Sequence, residues 1–298
     1  MLPLVRHLPE PIKAPIRRQV VRYRERMEPA ETLTRRERWD RDGYLILPKL
    51  FDRNQVARGA KTFDDAWTTR STDDRSLVVD AFVTGGTPRR LPLRDAPDAA
   101  RSQVYKLNDM YLVDEFVRSL ILAEPLVEAM RELVDDDVVA INSLHFERGS
   151  NQQYHVDTYY MPPPPGGQLI VSSICLEHVH PDAGPLKYYR GSHKIPPYLN
   201  PDGDRRARNG DELAVATEHF MGRCAEFGLQ PSTFCGRRGD TFLWHEQLLH
   251  GGTEIADMSR TRRSIVTHYW TKSSMPAGSE IVRSGAGYYL KRDHQSIA

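Results

Sequence analysis

Cysteine is scarce: Cys175, Cys224 and Cys235 are the only three in 298 residues, and they show no CxxC spacing. That excludes a disulfide framework and a closed thiolate metal site, and it fits reduced thiols in a cytoplasmic protein. Long apolar runs are also missing. The start MLPLVRHLPEPIKAPIRRQVV is broken by Arg6, His7, Glu10, Pro11 and Lys13, so no signal peptide is expected. No later run reaches membrane-spanning length, so no stable membrane insertion is expected either. Charge of one sign is lacking as well. Lys and Arg number 41 against 40 Asp and Glu, a net charge of +1 that offers no global pull toward nucleic acid. The imbalance is local: residues 1–41 hold eleven basic and six acidic side chains. Residues 1–38 read as a solvated, partly helical basic extension and 39–298 as a single domain. There is no internal repeat and no low-complexity tract beyond Pro162–Pro165. Nothing here fixes an oligomeric state.

What is present suffices for a core, with 39% hydrophobic residues. The stretch from Trp39 reads as a short strand over Tyr44–Leu47 followed by a helix capped by Asp52. In AEPLVEAMRELVDDD, Leu126, Met130 and Leu133 recur at helical spacing behind Pro125, which suits a first helical turn. Helices are expected to dominate the first half. From Val138 the chain turns to short β-prone runs: VVAINSLHFERG, QQYHVDTYY, QLIVSSICLEHV, PLKYYRGSH, GDTFLWHEQLLHGG and RRSIVTHYW. Many short strands with few helices between them predict a barrel or jelly roll. A polar segment over about 196–212 reads as an insertion at one mouth.

His155 and Asp157 are two apart in one of these runs. In a strand they would share a face, as half of a chelate. His245 and His250, five apart, share neither a strand face nor the i, i+4 face of a helix, so one of them is the expected third ligand. His250, at a turn before Gly251 and Gly252, is chosen, with His245 its rival. Two imidazoles and one carboxylate leave positions open on the metal, the arrangement of non-haem iron(II) oxygenases. HxD alone is a weak signal, since polar pairs two apart in strands are common and usually structural. Arg262 and Ser264 strengthen it: two apart in a β-prone run, they could grip the carboxylate of a dicarboxylate co-substrate. Arg260 and Arg263 show that a surface arginine is the bland alternative. An inward Arg262 would require an anionic ligand or acidic partner.

With these residues in place the chain resembles the phytanoyl-CoA dioxygenase family of iron(II)- and 2-oxoglutarate-dependent oxygenases. The resemblance runs through DGYLILPKLF, YHVD, LEHVHPDAGPLKYYRGSHK, GDTFLWHEQLLHGG and TRRSIVTHYW, roughly Trp39–Trp270. It implies a mainly β protein with flanking helices, built on a double-stranded β-helix, a jelly-roll variant. It further implies iron(II) held by His155, Asp157 and His250, 2-oxoglutarate held by Arg262, and dioxygen as the oxidant. Lys106 falls about where some members carry a lysine near the co-substrate. The sequence departs from the pattern twice. Gly252 stands where members often have serine, which leaves a co-substrate hydroxyl absent or supplied by Ser264 or Thr253, and Ser173 stands where some have tryptophan. Because Asp157 is retained, hydroxylation of a small-molecule metabolite, or a desaturating or ring-forming variant, is expected rather than halogenation.

Two rivals come from other classes. One is a cupin-like metal enzyme that needs no 2-oxoglutarate; the other is a non-catalytic ligand-binding barrel. Tyr154, Tyr159, Tyr160 and Met161 could line a pocket or simply pack. His178 and His193 read as structural. Arg205, Arg206 and Arg208 in the insertion would suit an anionic substrate if it covers the mouth, though a solvated loop is the simpler expectation.

Overall fold

The computed structural model describes residues 33–72, 76–82 and 88–294. Thr34 opens α1 (Arg35–Asp42) with a capping box to Glu37, and Gly43, at φ 77°, ends it. β1 (Tyr44–Leu47) follows, then α2 (Arg53–Thr69), whose N-terminal amides are capped by Asp52 as expected. Next come β2 (Val78–Phe82), β3 (Pro88–Pro92), β4 (Tyr105–Asn108), α3 (Glu115–Ile121) and α4 (Glu124–Val134), with Pro125 in the first turn of α4. The β-rich half holds β5 (Val138–Phe146), β6 (Leu169–Cys175), β7 (Leu186–Tyr189), α5 (Gly210–Glu226), β8 (Pro231–Phe234), β9 (Thr241–His245), β10 (His250–Gly252), β11 (Ser264–Thr271), β12 (Ile281–Ser284) and β13 (Gly287–Leu290).

The large sheet runs β1-β9-β6-β11-β5-β4-β2-β3 and is antiparallel along this path, while the β12–β13 hairpin joins it through a parallel pairing of β13 with β5. A second sheet, β10-β7-β8, lies across it. Alternation sorts the side chains. Ile265 and Tyr269 of β11, with Ile170 of β6 and Leu243 of β9, join Phe63, Leu126 and Met130 in a core under the helices. The other face carries Phe146, Val171, Phe242, Trp244 and Val266, which pack against Tyr188 and Phe234 of the second sheet. This is the expected double-stranded β-helix of a mainly β protein with flanking helices. Each large side chain buried this way contributes roughly 1.5–3 kcal/mol, so the two faces fix the register of every strand between them.

One expectation is corrected. QQYHVDTYY is not a strand. It makes one isolated bridge, His155 to His250, and then tightens into a 3₁₀ turn over Asp157–Tyr159. Helices dominate the first half as expected, and β2, β3 and β4, which were not expected there, extend the large sheet. The terminal strand β3 carries Pro88 and Pro92, and proline is tolerated at a sheet edge. The irregular part of the insertion at 196–212 ends at Asn209, whose side chain caps α5 through the amides of Asp211 and Glu212.

Candidate active site

The bridge between His155 and His250 sets the site. Each backbone amide donates to the other residue's carbonyl, at 2.8 and 3.0 Å, which brings the imidazole centroids to 4.3 Å. Asp157 comes to the same point because the chain turns immediately after Val156. One ligand atom from each of His155, Asp157 and His250 lies within 4.8 Å of the others, and all three residues are buried. The Nε2 atoms of both histidines stand 3.7 Å from Asp157 oxygens. His155 Nδ1 donates to Gln153 O at 2.8 Å and His250 Nδ1 to Leu248 O at 2.9 Å. Facing a carbonyl, Nδ1 must carry the proton, so each Nε2 presents a lone pair to the shared centre.

Electrostatics agree with the geometry. Burial, reinforced by His250, pushes the His155 imidazole down to about 3, so it is neutral at ordinary pH. Burial works to raise the Asp157 carboxyl, but His250, His268 and His155 together hold it well below the usual carboxylate range. Two imidazoles and a carboxylate converging on one point fit a divalent cation, and no fourth protein donor joins this group among the described residues. His245, the rival, points the other way in β9. It packs between Trp39 and His193, with ring centroids at 5.7 and 5.2 Å.

A cavity of about 140 Å³ opens from the triad. Arg262 lines it, and there the three neighbouring arginines differ. Arg260 pairs with Asp257 at 3.0 Å, and Arg263 with Glu147 at 2.6 Å and Asp64 at 3.2 Å. Arg262 is 7% exposed, has no acidic partner among the described residues, and its Nε has no hydrogen-bond acceptor. Burial pushes its guanidinium down to about 10, which still leaves it cationic at neutral pH. Ser264 is buried on the neighbouring inward position of β11, and its hydroxyl likewise lacks a partner. Lys106 lines the cavity and reaches Asp80 at 3.5 Å, so it is not a free solvated lysine.

Gly251 and Gly252 are required by close approach. A Cβ at Gly251 would lie 2.8 Å from the carbonyl oxygens of Gln152 and Gln153, and one at Gly252 would lie 2.5 Å from Ser150 Oγ. The Ser150 hydroxyl thus occupies the space that a side chain at 252 would need, and Ser150 itself lines the cavity. Tyr160 and Met161 line it too, whereas Tyr159 packs in a separate cluster with Ile195 and Phe220. Two insertion arginines have acidic partners within the chain, Arg205 at Glu246 and Arg208 at Asp202.

Sequence reasoning missed Trp244 and His268. Trp244 Nε1 donates to Asp157 Oδ2 at 2.8 Å, and His268 Nε2 lies 3.7 Å from Asp157 Oδ1. Even spacing from Arg262 would have placed His268 on the same face, and even spacing from Phe242 does so for Trp244.

The phytanoyl-CoA dioxygenase (PhyH) family matches residues 39–263. No curated protein matches the chain. Among solved structures, the non-haem α-ketoglutarate-dependent epimerase SnoN from nogalamycin biosynthesis shares 17% identity, with a TM-score of 0.56 over 86% of this chain and 96% of its own. The carbocyclase SnoK from the same biosynthesis shares 14% identity, with a TM-score of 0.61 over 85% and 88% of the two chains. EctD from S. alaskensis with bound Fe shares 19%, with a TM-score of 0.56 over 84% and 78%. At these identities the likeness is one of fold.

Proposed function

Since this chain belongs to the phytanoyl-CoA dioxygenase family of iron(II)- and 2-oxoglutarate-dependent oxygenases, we propose that it hydroxylates an unactivated carbon of a small-molecule metabolite. The observation that carries the co-substrate reading is Arg262, a buried cation with no acid beside it among the described residues. A chain does not bury an unpaired guanidinium without cost, and a ligand carboxylate supplies the missing partner.

His155, Asp157 and His250 would hold the iron. Iron(II) held there would supply dioxygen-dependent oxidation of a C–H bond coupled to oxidative decarboxylation of 2-oxoglutarate to succinate and carbon dioxide. The chain's own work is positional. The carbonyls of Gln153 and Leu248 fix both imidazole tautomers. Arg262 would take the distal carboxylate of 2-oxoglutarate, with Ser264 of β11 and Lys106 of β4 on either side of Phe146 of β5, and Ser150 offers a further hydroxyl at the cavity wall. Leu144, Phe146 and Val266 form an apolar wall beside it, and a low-dielectric surrounding of that kind strengthens a carboxylate–guanidinium pair. Gln152, Tyr160, Met161 and Leu186 complete the wall and would meet the substrate. No general base is required. A retained Asp157 fits hydroxylation or its desaturating and ring-forming variants, and the SnoN and SnoK neighbours are described as an epimerase and a carbocyclase on this fold.

The test is slow, substrate-independent conversion of 2-oxoglutarate to succinate by the iron-loaded protein. Arg262→Ala is expected to raise the half-saturating 2-oxoglutarate concentration tenfold or more, equivalent to about 1.4 kcal/mol. An unchanged value in Arg262→Ala would remove the co-substrate from this site and favour a metal enzyme that does not use it.

A further inference from the structure

The proposal concerns what holds Asp157, and it rests on the reading of His155, Asp157 and His250 as the metal ligands. Trp244 is the penultimate residue of β9, an interior strand, paired on one side to Tyr44 of β1 and on the other to Val171 of β6. It is 2% exposed. Its indole N–H donates to Asp157 Oδ2 at 2.8 Å, and its ring stands against His250 with centroids 5.1 Å apart. One rigid side chain therefore touches two of the three ligands from a strand that cannot easily move.

An aromatic ring needed only for packing would not have to aim its one polar atom at a metal ligand. Asp157 begins a short 3₁₀ turn, and its backbone makes no ladder pairing that would fix the side chain. The carboxylate needs an external hold. A hydrogen bond to an ionised acceptor in a buried site is of the stronger, charge-assisted kind. It occupies a lone pair on Oδ2 and fixes the plane of the group, while Oδ1 faces His155 and His268 at 3.7 Å. We infer that Trp244 is a positioning residue for the metal site: its indole N–H sets the orientation in which Asp157 presents its carboxylate beside His155 and His250. Outer hydrogen-bond partners of metal ligands are worth 10–100-fold in affinity.

The test uses the full-length protein freed of metal, with Zn(II) as a diamagnetic probe. The chain has four tryptophans, so its indole N–H groups can be followed individually by proton–nitrogen NMR, and the Trp244 signal is identified as the one absent from Trp244→Phe. The expected Trp244 signal is shifted downfield and slow to exchange in the wild type, returns to the ordinary indole position in Asp157→Ala, and moves on adding Zn(II). Trp244→Phe keeps an aromatic ring and removes the donor. It is expected to bind Zn(II) 10–100-fold more weakly while keeping the wild-type circular dichroism. A purely structural role would lower thermal stability and leave the Zn(II) affinity unchanged. That result, or a Trp244 signal indifferent to Asp157→Ala, overturns the inference while the metal reading stands. A wild-type protein that binds no Zn(II) and no iron(II) overturns both. If Trp244→Phe fails to fold, the Trp244 signal is assigned instead from its proton–proton NOEs to the neighbouring His250 ring, and its response to Asp157→Ala reads the bond directly.

Discussion

Arg260, Arg262 and Arg263 lie within four residues of one another, and burial and partners alone separate their roles. An unpaired buried cation weakens the unliganded fold, so the site stores instability that a carboxylate relieves. Arg262→Leu is therefore expected to melt at or above the wild-type temperature without ligand. With metal present throughout, 2-oxoglutarate at a hundredfold excess over the wild-type Kd should stabilise the wild type by about 2.7 kcal/mol and Arg262→Leu, which binds it at least tenfold more weakly, by no more than about 1.4 kcal/mol. Paired thermal melts with and without the ligand check this; a clear loss of unliganded stability in Arg262→Leu would assign the guanidinium a structural role. At this scale the sequence was informative through a combination rather than any one part: HxD, a distal His-Gly and an arginine two residues from Ser264. It was uninformative where the residue type is ordinary in a core. Trp244 and His268 look like packing residues until their ring nitrogens are placed beside Asp157.

Among elements, β5 and β11 wall the cavity beside the ligands, and an ion-pair network clamps the point where they meet. Glu147 follows β5 and accepts from Arg101, Tyr105 and Arg263, while Asp64 of α2 meets Arg101 and Arg263. Burial pushes the Glu147 carboxyl up, but these three donors pull it further down, leaving it below the ordinary value of 4.5. A depressed folded value means that the unfolded chain takes up the proton first. The stabilisation is present above about pH 4.5 and is lost as the pH falls through the folded value. Glu147→Gln should flatten that acid limb in a urea-unfolding series between pH 6 and 3, and a limb identical to wild type would contradict the role given to the network. The elements most legible in the sequence were those whose burial obeys a simple period: β1, α2, α4, β6 and β11. The HxD segment was misread because a single bridge to His250 and a 3₁₀ turn produce the same convergence that strand alternation would have. β3 escaped notice because its prolines and arginines suit only an edge, and α5 because its polar N-terminal turn merges with the loop before it.

Across the molecule, the two faces of the large sheet divide the labour. One is buried under α2, α3 and α4, and the other, with the second sheet, encloses the cavity. Beyond the residues matched by the family, the chain forms the whole of β11 and adds the β12–β13 hairpin. After the hairpin, Arg292 reaches the buried Asp109 at 2.8 Å and closes the sheet from behind. Periodicity made the β-rich architecture legible, and the order of motifs made its family legible. The substrate was not, because the walls that would meet it come from separate segments around Gln152, Tyr160 and Leu186. The central claim, that His155, Asp157 and His250 hold iron(II) for use with 2-oxoglutarate, is tested most directly by anaerobic titration of the metal-free protein with iron(II) and 2-oxoglutarate. The account predicts a weak visible charge-transfer band that needs both components and is lost in Asp157→Ala. Metal binding without that band would contradict the co-substrate, and no metal binding at all would leave a ligand-binding barrel.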